Sequence, residues 1–280
     1  MSTTYCIENE YLRVNISQLG AEIVSIWSKT RAEELLWQGE EWQGRAPILF
    51  PIVGNLPKGQ YKAKGQTYEL PRHGFARSSL FELRDSCPHS LTLGLQDSEQ
   101  SLFNYPYSFD LSVTYHLEEK TVNVSFSVAN YKENELIFSL GFHPAFSASD
   151  DLDLIFEDSP KSYCYGNQGF VDFSSQPQID MSTSLPLSKV DFSRGAIYMR
   201  NTKSQQITLK DGTRELGISL PDVPYVVVWK NPGSEFICIE PCFGITSPSD
   251  DDVLSLSDKP GVVRLEFGEN FTTMSQIKVM

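Results

Sequence analysis

The sequence predicts an all-β protein, a large antiparallel β-sandwich, and three observations predict it. Apolar residues recur with period two along most of the chain. Turn-forming residues interrupt that rhythm at short intervals. Apolar stripes of period 3.6 are missing beyond a turn or so. At 280 residues the chain exceeds the usual length of one domain, but sandwiches and barrels reach this size as a single unit. With no linker, repeat or low-complexity stretch in view, one domain over 1–280 is expected. A chain this long buries roughly 75% of its unfolded surface, so its core needs no staples.

Taken in order, Leu12, Val14 and Ile16 alternate with Arg13, Asn15 and Ser17. Leu111, Val113 and Tyr115 repeat the pattern, and Val122, Val124, Phe126 and Val128 alternate with Asn123, Ser125 and Ser127. Each reads as a half-buried strand. Residues 135–142 read as one strand with Leu136, Phe138, Leu140 and Phe142 on one face; Ile137, Ser139, Gly141 and then His143 take the other. Residues 225–229 are continuously apolar, as in a strand covered on both faces. Turns are expected at Leu19-Gly20, Pro57-Lys58-Gly59, Asn231-Pro232-Gly233 and Lys259-Pro260-Gly261. Residues 28–37 hold at most a turn of helix. The polar stretch 159–188 reads as an elaborated loop region with room for a hairpin.

The formal net charge of -13 argues against a nucleic-acid partner, which requires a basic stripe. It leaves room for a small anionic ligand at a local arginine cluster. The five cysteines are scattered, with no CxxC pair. Reduced thiols in a cytoplasmic protein are the expectation. The opening MSTTYCIENEYLRV has neither the basic nor the apolar region of a signal peptide. No apolar run reaches the length of a membrane span, so no membrane partner is expected. Phosphate-cradling glycine loops, GxSxG and HExxH are absent as well.

Four segments break the strand rhythm with unusual chemistry. Residues 44–55 place Pro47 and Pro51 in an apolar run, wrong for a central strand; an edge segment closing the sandwich is one reading. Residues 71–77 gather Arg72, His73 and Arg77 around Gly74 and Phe75, which also fits a basic surface turn. In residues 141–146, Pro144 stops the ladder just after His143 and holds that residue extended. An imidazole fixed at a strand end suits proton transfer, although a structural core histidine has the same signature. In residues 236–242, Glu240 shares parity with Phe236 and Cys238 on an apolar strand. A carboxylate there is costly unless paired or used, or else lies exposed at the rim. Cys238 and Cys242 have no matching ligands elsewhere, so no metal site is expected. His89 and His116 read as ordinary turn and strand residues.

Read together and in order, APILFPIVGNL at 46–56, HGFAR at 73–77, GFHPAF at 141–146 and CIEPCFG at 238–244 resemble the aldose 1-epimerase (galactose mutarotase-like) superfamily. Within it the chain is most similar to the bacterial LacX-type branch of aldose epimerase-related proteins. The opening around Gln18 to Glu22, Leu36-Trp37, and the ending around Arg264 to Phe271 also fit, so the resemblance spans nearly the whole chain. It implies a β-supersandwich with a sugar cleft on one face and an aldose 1-epimerase (mutarotase) that needs no cofactor. His143 would be the general acid at the ring oxygen and Glu240 the general base at the C1 hydroxyl. His73 would hydrogen-bond the sugar or assist near the ring oxygen. Where the family commonly carries an arginine after the glycine of the apolar-run motif, this chain has Asn55. Asparagine lacks the charge and the fork, and Arg77 and Arg45 are the candidates to compensate. Asp222 and Lys230 are further candidate substrate contacts, and Trp42, Phe75 and Trp229 are candidate stacking rings.

Two alternatives stay open. A hexose-6-phosphate 1-epimerase of the same superfamily would use Arg72, Arg77, Lys58 or Lys230 for its phosphate. A non-catalytic sugar-binding or regulatory protein would share the fold without needing a matched acid and base. The expected partner in every case is a small sugar. Its identity, and the oligomeric state, are not legible.

Overall fold

The computed structural model describes residues 2–158, 160–202, 205–220 and 222–280. Nearly all of its regular structure is antiparallel strand, as the alternation predicts. A nine-stranded sheet runs in the order Ser184–Pro186, Asp153–Phe156, Gln206–Asp211, Arg214–Ser219, Asn270–Val279, Thr121–Ala129, Asp110–Glu118, Ser90–Gln96, Glu82–Cys87. An eight-stranded sheet packs against it. Its main path is Ile179–Asp180, Ser162–Tyr165, Ile197–Arg200, Tyr225–Trp229, Phe236–Phe243, Leu140–Phe142, Ile48–Leu49, and Ala145–Ser147 also pairs with Phe236–Phe243. A four-stranded sheet of residues 4–34, the hairpin of Gln60–Ala63 with Gln66–Glu69, and the pair Glu135–Phe138 with Val263–Glu266 complete the layers.

Strand alternation builds the core between the two large sheets. Val122, Val124, Phe126 and Val128 face Phe142, Val226, Val228, Ile237 and Ile239 in one apolar cluster. The rings of Phe126 and Phe142 meet across the gap at 5.9 Å. The eight-stranded sheet is buried on its second face too. Tyr198, Val227 and Cys242 form one outer cluster, and Phe236 and Cys238 another. Residues 225–229 are thus covered on both faces, as their continuous apolarity predicts. Among the described residues, no helix is long and apolar enough to cross a membrane.

Three segments differ in detail from the alternation reading. The single strand expected over 135–142 is two strands, Glu135–Phe138 and Leu140–Phe142, which belong to different sheets. The chain changes sheet at Ser139, whose N–H donates to the Pro51 carbonyl at 2.7 Å instead of to a ladder partner. Residues 98–104 carry a short helix, Glu99–Asn104, closed by a reciprocal Ser98–Ser101 capping box. The stretch expected as a loop from 159 to 188, of which Ser159 lies outside the described residues, contributes edge strands to both large sheets.

The proline-rich segment 44–55 is a sheet edge, pairing Ile48–Leu49 with Leu140–Phe142. The Glu22 carboxylate, from the turn between Leu12–Ser17 and Ile23–Ser28, anchors it by accepting from the Arg45 and Ala46 amides at 2.5 and 2.9 Å.

Candidate functional site

The cleft lies on the outer face of the eight-stranded sheet, and strand parity decides who faces it. On Phe236–Phe243, Ile237 and Ile239 point into the core, so Glu240 points outward with Cys238 and Cys242. On Ile197–Arg200, Ile197 and Met199 go inward and Tyr198 outward. On Tyr225–Trp229, Val227 and Trp229 face the cleft. Arg72, His73, Gly54 and Thr246 close its other wall. A wider groove of about 630 Å³ runs past Leu80, Glu82, Asp97 and Ser98. It contains no histidine and no acid-base pair, so size does not mark the site here.

His143 and Glu240, 97 residues apart in the chain (240 − 143), meet in this cleft. Nε2 of His143 lies 3.2 Å from Oε1 of Glu240, and the two residues are 5% and 3% exposed. The His143 amide donates to the Pro47 carbonyl at 3.0 Å, so the proline-rich segment sets the depth of the imidazole. Trp42 stacks on the ring at 5.0 Å and Trp229 meets it edge-on at 6.1 Å. Among the described residues, Nδ1 of His143 is buried without a hydrogen-bond partner.

Burial pulls His143 down to about 3. Burial likewise pushes Glu240 up to about 8, against the pull of the Arg72 guanidinium. Desolvation disfavours either charge, so around neutral pH the closed pocket holds one mobile proton between Nε2 and Oε1. That proton count allows two forms: neutral acid beside neutral imidazole, or carboxylate beside imidazolium. A hydroxyl-rich ligand raises the local polarity and favours the second.

His73 is held differently. Its backbone and that of Gly74 are both left-handed, at φ 68° and 72°. A Cβ at Gly74 would overlap the Phe50 carbonyl. The His73 amide donates to the Gly54 carbonyl at 3.0 Å, and the Gly54 amide donates back to His73 Nδ1 at 3.1 Å. Burial, reinforced by His143, Arg72, Arg77 and Lys259, keeps the ring well below the ordinary histidine range and therefore neutral. Its ring lies 5.7 Å from that of His143, edge to face.

The other expected contacts divide. Arg77 is exposed, with its charge felt by Arg72 and Glu22. The Arg45 guanidinium donates to the carbonyls of Gln38, Gly39, Trp42 and Gly44; it staples the loop that carries Trp42. The Asn55 side chain donates to the Gly169 carbonyl at 3.1 Å, and Thr246 Oγ donates to the same oxygen at 2.7 Å. Both tie the 167–170 turn to the cleft wall. Lys230, one residue past the cleft-facing Trp229, is buried and paired with exposed Asp150 at 2.8 Å. Asp222 is exposed, in a turn at φ 54°. Phe75 packs with Phe50, Tyr105 and Phe109 instead of lining the cleft.

Tyr198 lines the cleft although the sequence does not single it out, and Arg72, expected there only for a sugar phosphate, lines it too. Burial and the nearby Glu240 carboxylate push the Tyr198 phenol up, so it stays a neutral donor. Parity with Ile197 and Met199 was the available signal for Tyr198. For Arg72 it was adjacency to His73.

Comparison with known proteins identifies the family. The family model described as aldose 1-epimerase matches residues 3–278. The plasmid-borne protein LacX of Lactococcus lactis subsp. lactis is 32% identical, covering 92% of this chain and 93% of its own. A galactose mutarotase related enzyme from Lactobacillus acidophilus superposes with a TM-score of 0.93 at 30% identity, over 99% of this chain and 97% of that one. A galactose mutarotase-like protein from Lactobacillus casei ATCC 334 gives 0.89 at 28%, over 99% and 100%. Matched along almost its whole length in both sequence and structure, the chain belongs to the aldose 1-epimerase family.

Proposed function

We propose that the protein is an aldose 1-epimerase that interconverts the α and β anomers of an aldohexose. The observation that carries this is the buried contact of His143 Nε2 with Glu240 Oε1 at 3.2 Å. Opening a hemiacetal ring requires a base at the C1 hydroxyl and an acid at the ring oxygen in one step. In its charge-separated form the pair is that base and that acid, with Glu240 as carboxylate and His143 as imidazolium. The O1–H bond breaks toward Glu240 as the C1–O5 bond breaks and O5 takes the His143 proton. After rotation about C1–C2, attack of O5 on the other face of the aldehyde returns both protons. No net proton or electron is exchanged. His73 and the Tyr198 phenol supply hydrogen bonds to sugar oxygens, and Trp42 and Trp229 keep water from the imidazole.

A second reading is a sugar 6-phosphate substrate. The observation favouring it is Arg72 in the cleft lining with Arg77 close enough to affect it electrostatically, within an acidic chain. Both readings are tested by anomer exchange, followed by saturation-transfer NMR with the uncatalysed rate subtracted, on galactose, glucose and glucose 6-phosphate. Faster exchange of the free sugars supports the first reading. A strong preference for the phosphate moves the assignment to the second. No acceleration of any sugar, with binding retained, leaves a non-catalytic binder and sinks both.

A further inference from the structure

Beside Lys230, which is paired with Asp150, the proton transfers leave a second buried lysine unused. Lys259 is 1% exposed. Its Nζ donates to the Val53 carbonyl at 2.7 Å and also to the Ile245 carbonyl. Val53 C=O and Gly54 N–H belong to one peptide group. Its oxygen receives the ammonium, and its N–H donates to His73 Nδ1. A second donor faces the other side of the same ring: Arg72 Nε lies 3.0 Å from His73 Nε2. A neutral imidazole accepts at one nitrogen only. The Gly54 amide and the Arg72 guanidinium therefore compete for opposite tautomers.

We propose that Lys259 is a positioning residue that acts through the Val53–Gly54 peptide group to hold His73 in the tautomer with its proton on Nε2. A positive charge on a carbonyl oxygen draws electron density from the amide and makes its N–H a stronger donor. Hydrogen bonds in series reinforce one another, most of all where water is excluded. Geometry favours the same winner. The Gly54 amide is rigid, with φ at +73° and a Cβ excluded by Thr246. Arg72 is an exposed side chain that can rotate away. With Nε2 protonated, His73 Nε2–H and Arg72 Nε–H are two donors converging without an acceptor, which is the arrangement that receives one substrate oxygen. That last step rests on the proposed function; the tautomer does not.

The test is a long-range ¹H–¹⁵N correlation on ¹⁵N-histidine-labelled full-length protein at pH 6. Burial pulls Lys259 down to about 7, so it is charged there. His73→Asn assigns the signal. The expected wild-type pattern is Nε2–H for His73. In Lys259→Met, matched in length without the charge, the Nδ1–H pattern should grow while the His89 and His116 signals stay in place. If the methionine variant fails to fold, Lys259→Gln carries the same arm. A wild-type Nδ1–H pattern, or an unchanged Nε2–H pattern in the charge-free variant, overturns the proposal. A cycle on exchange kinetics adds a second arm: Lys259→Met should lower kcat/KM in the wild type and cause no further loss in His73→Asn. Additive losses overturn the route through His73. A chain that exchanges no anomers would fail the proposed function yet leave the NMR result standing.

Discussion

His73 and His143 lie edge to face in one pocket, are 6% and 5% exposed, and are held by opposite means. The backbone of Gly54 grips His73 twice, at its amide and at Nδ1. His143 is fixed by aromatic rings and by its own amide, while among the described residues Nδ1 has no partner and Nε2 meets only Glu240. A ring whose tautomer is set by backbone is a fixed donor. A ring whose single polar neighbour is a titratable acid is free to gain and lose a proton. Equal burial thus serves two different tasks, and the hydrogen-bond partners, not the exposure, tell them apart.

The largest expected effect lies at the mobile end. His143→Asn and Glu240→Gln should each lower the saturated exchange rate by about 10²–10⁴-fold, with little change in KM. Wild-type rates in either folded variant would remove the pair from the chemistry. His73→Asn should cost about 10–100-fold in kcat/KM, mostly through KM, as expected for a lost buried hydrogen bond. A collapse of kcat equal to that of His143→Asn would erase the distinction between the two rings.

Stability should depend on pH in opposite directions at the two members of the pair. Glu240 holds its proton up to about 8, from an ordinary 4.5. Between those values the native state keeps a proton that the unfolded chain releases. This contribution is therefore fully present below 4.5 and is lost as pH rises to about 8. His143, lowered to about 3 from 6.5, does the reverse and loses its contribution as pH falls through that window. Urea midpoints at pH 5 and pH 8 should fall further in wild type than in Glu240→Gln; an identical fall would mean Glu240 titrates normally. The smallest effect belongs to Asp222→Asn: the side chain is exposed and asparagine tolerates the same left-handed backbone, so urea midpoints should stay within about 0.5 kcal/mol of wild type and exchange rates within roughly twofold.

What the sequence reveals about this molecule follows the range over which its signals act. Side-chain parity is local, so Val122 to Val128 and the outward turn of Glu240 were readable from neighbours alone. His143 faces the cleft as parity predicted, although its strand breaks at Ser139. The break was hidden because the partner of that amide is Pro51, distant in sequence. Arg45 and Lys230 are candidate sugar contacts in the sequence, Arg45 as a stand-in for the charge missing at Asn55 and Lys230 because it ends an apolar strand. Loop carbonyls and Asp150 occupy them instead. Lys259 escaped notice because Lys-Pro-Gly is the signature of an exposed turn, and only the folded chain wraps that turn over Val53 and Ile245.

The two-sided strand Phe236–Phe243 makes chain length itself a constraint. Its core contacts at Ile237 and Ile239 and its carboxylate at Glu240 lie on opposite faces of one pleated strand. Deleting a single residue early in the strand would exchange its faces. Glu240 would turn toward the nine-stranded sheet and an isoleucine toward the cleft. Fold and acid-base pair would be lost in one event, however conservative the composition. The exposed tip at Lys64-Gly65, with open space around Gly65, carries no strand with two committed faces, and exposed tips are where insertions are tolerated. Families built on this sheet should therefore vary by insertion at hairpin tips such as this one, and by substitution only along the strand that carries the glutamate.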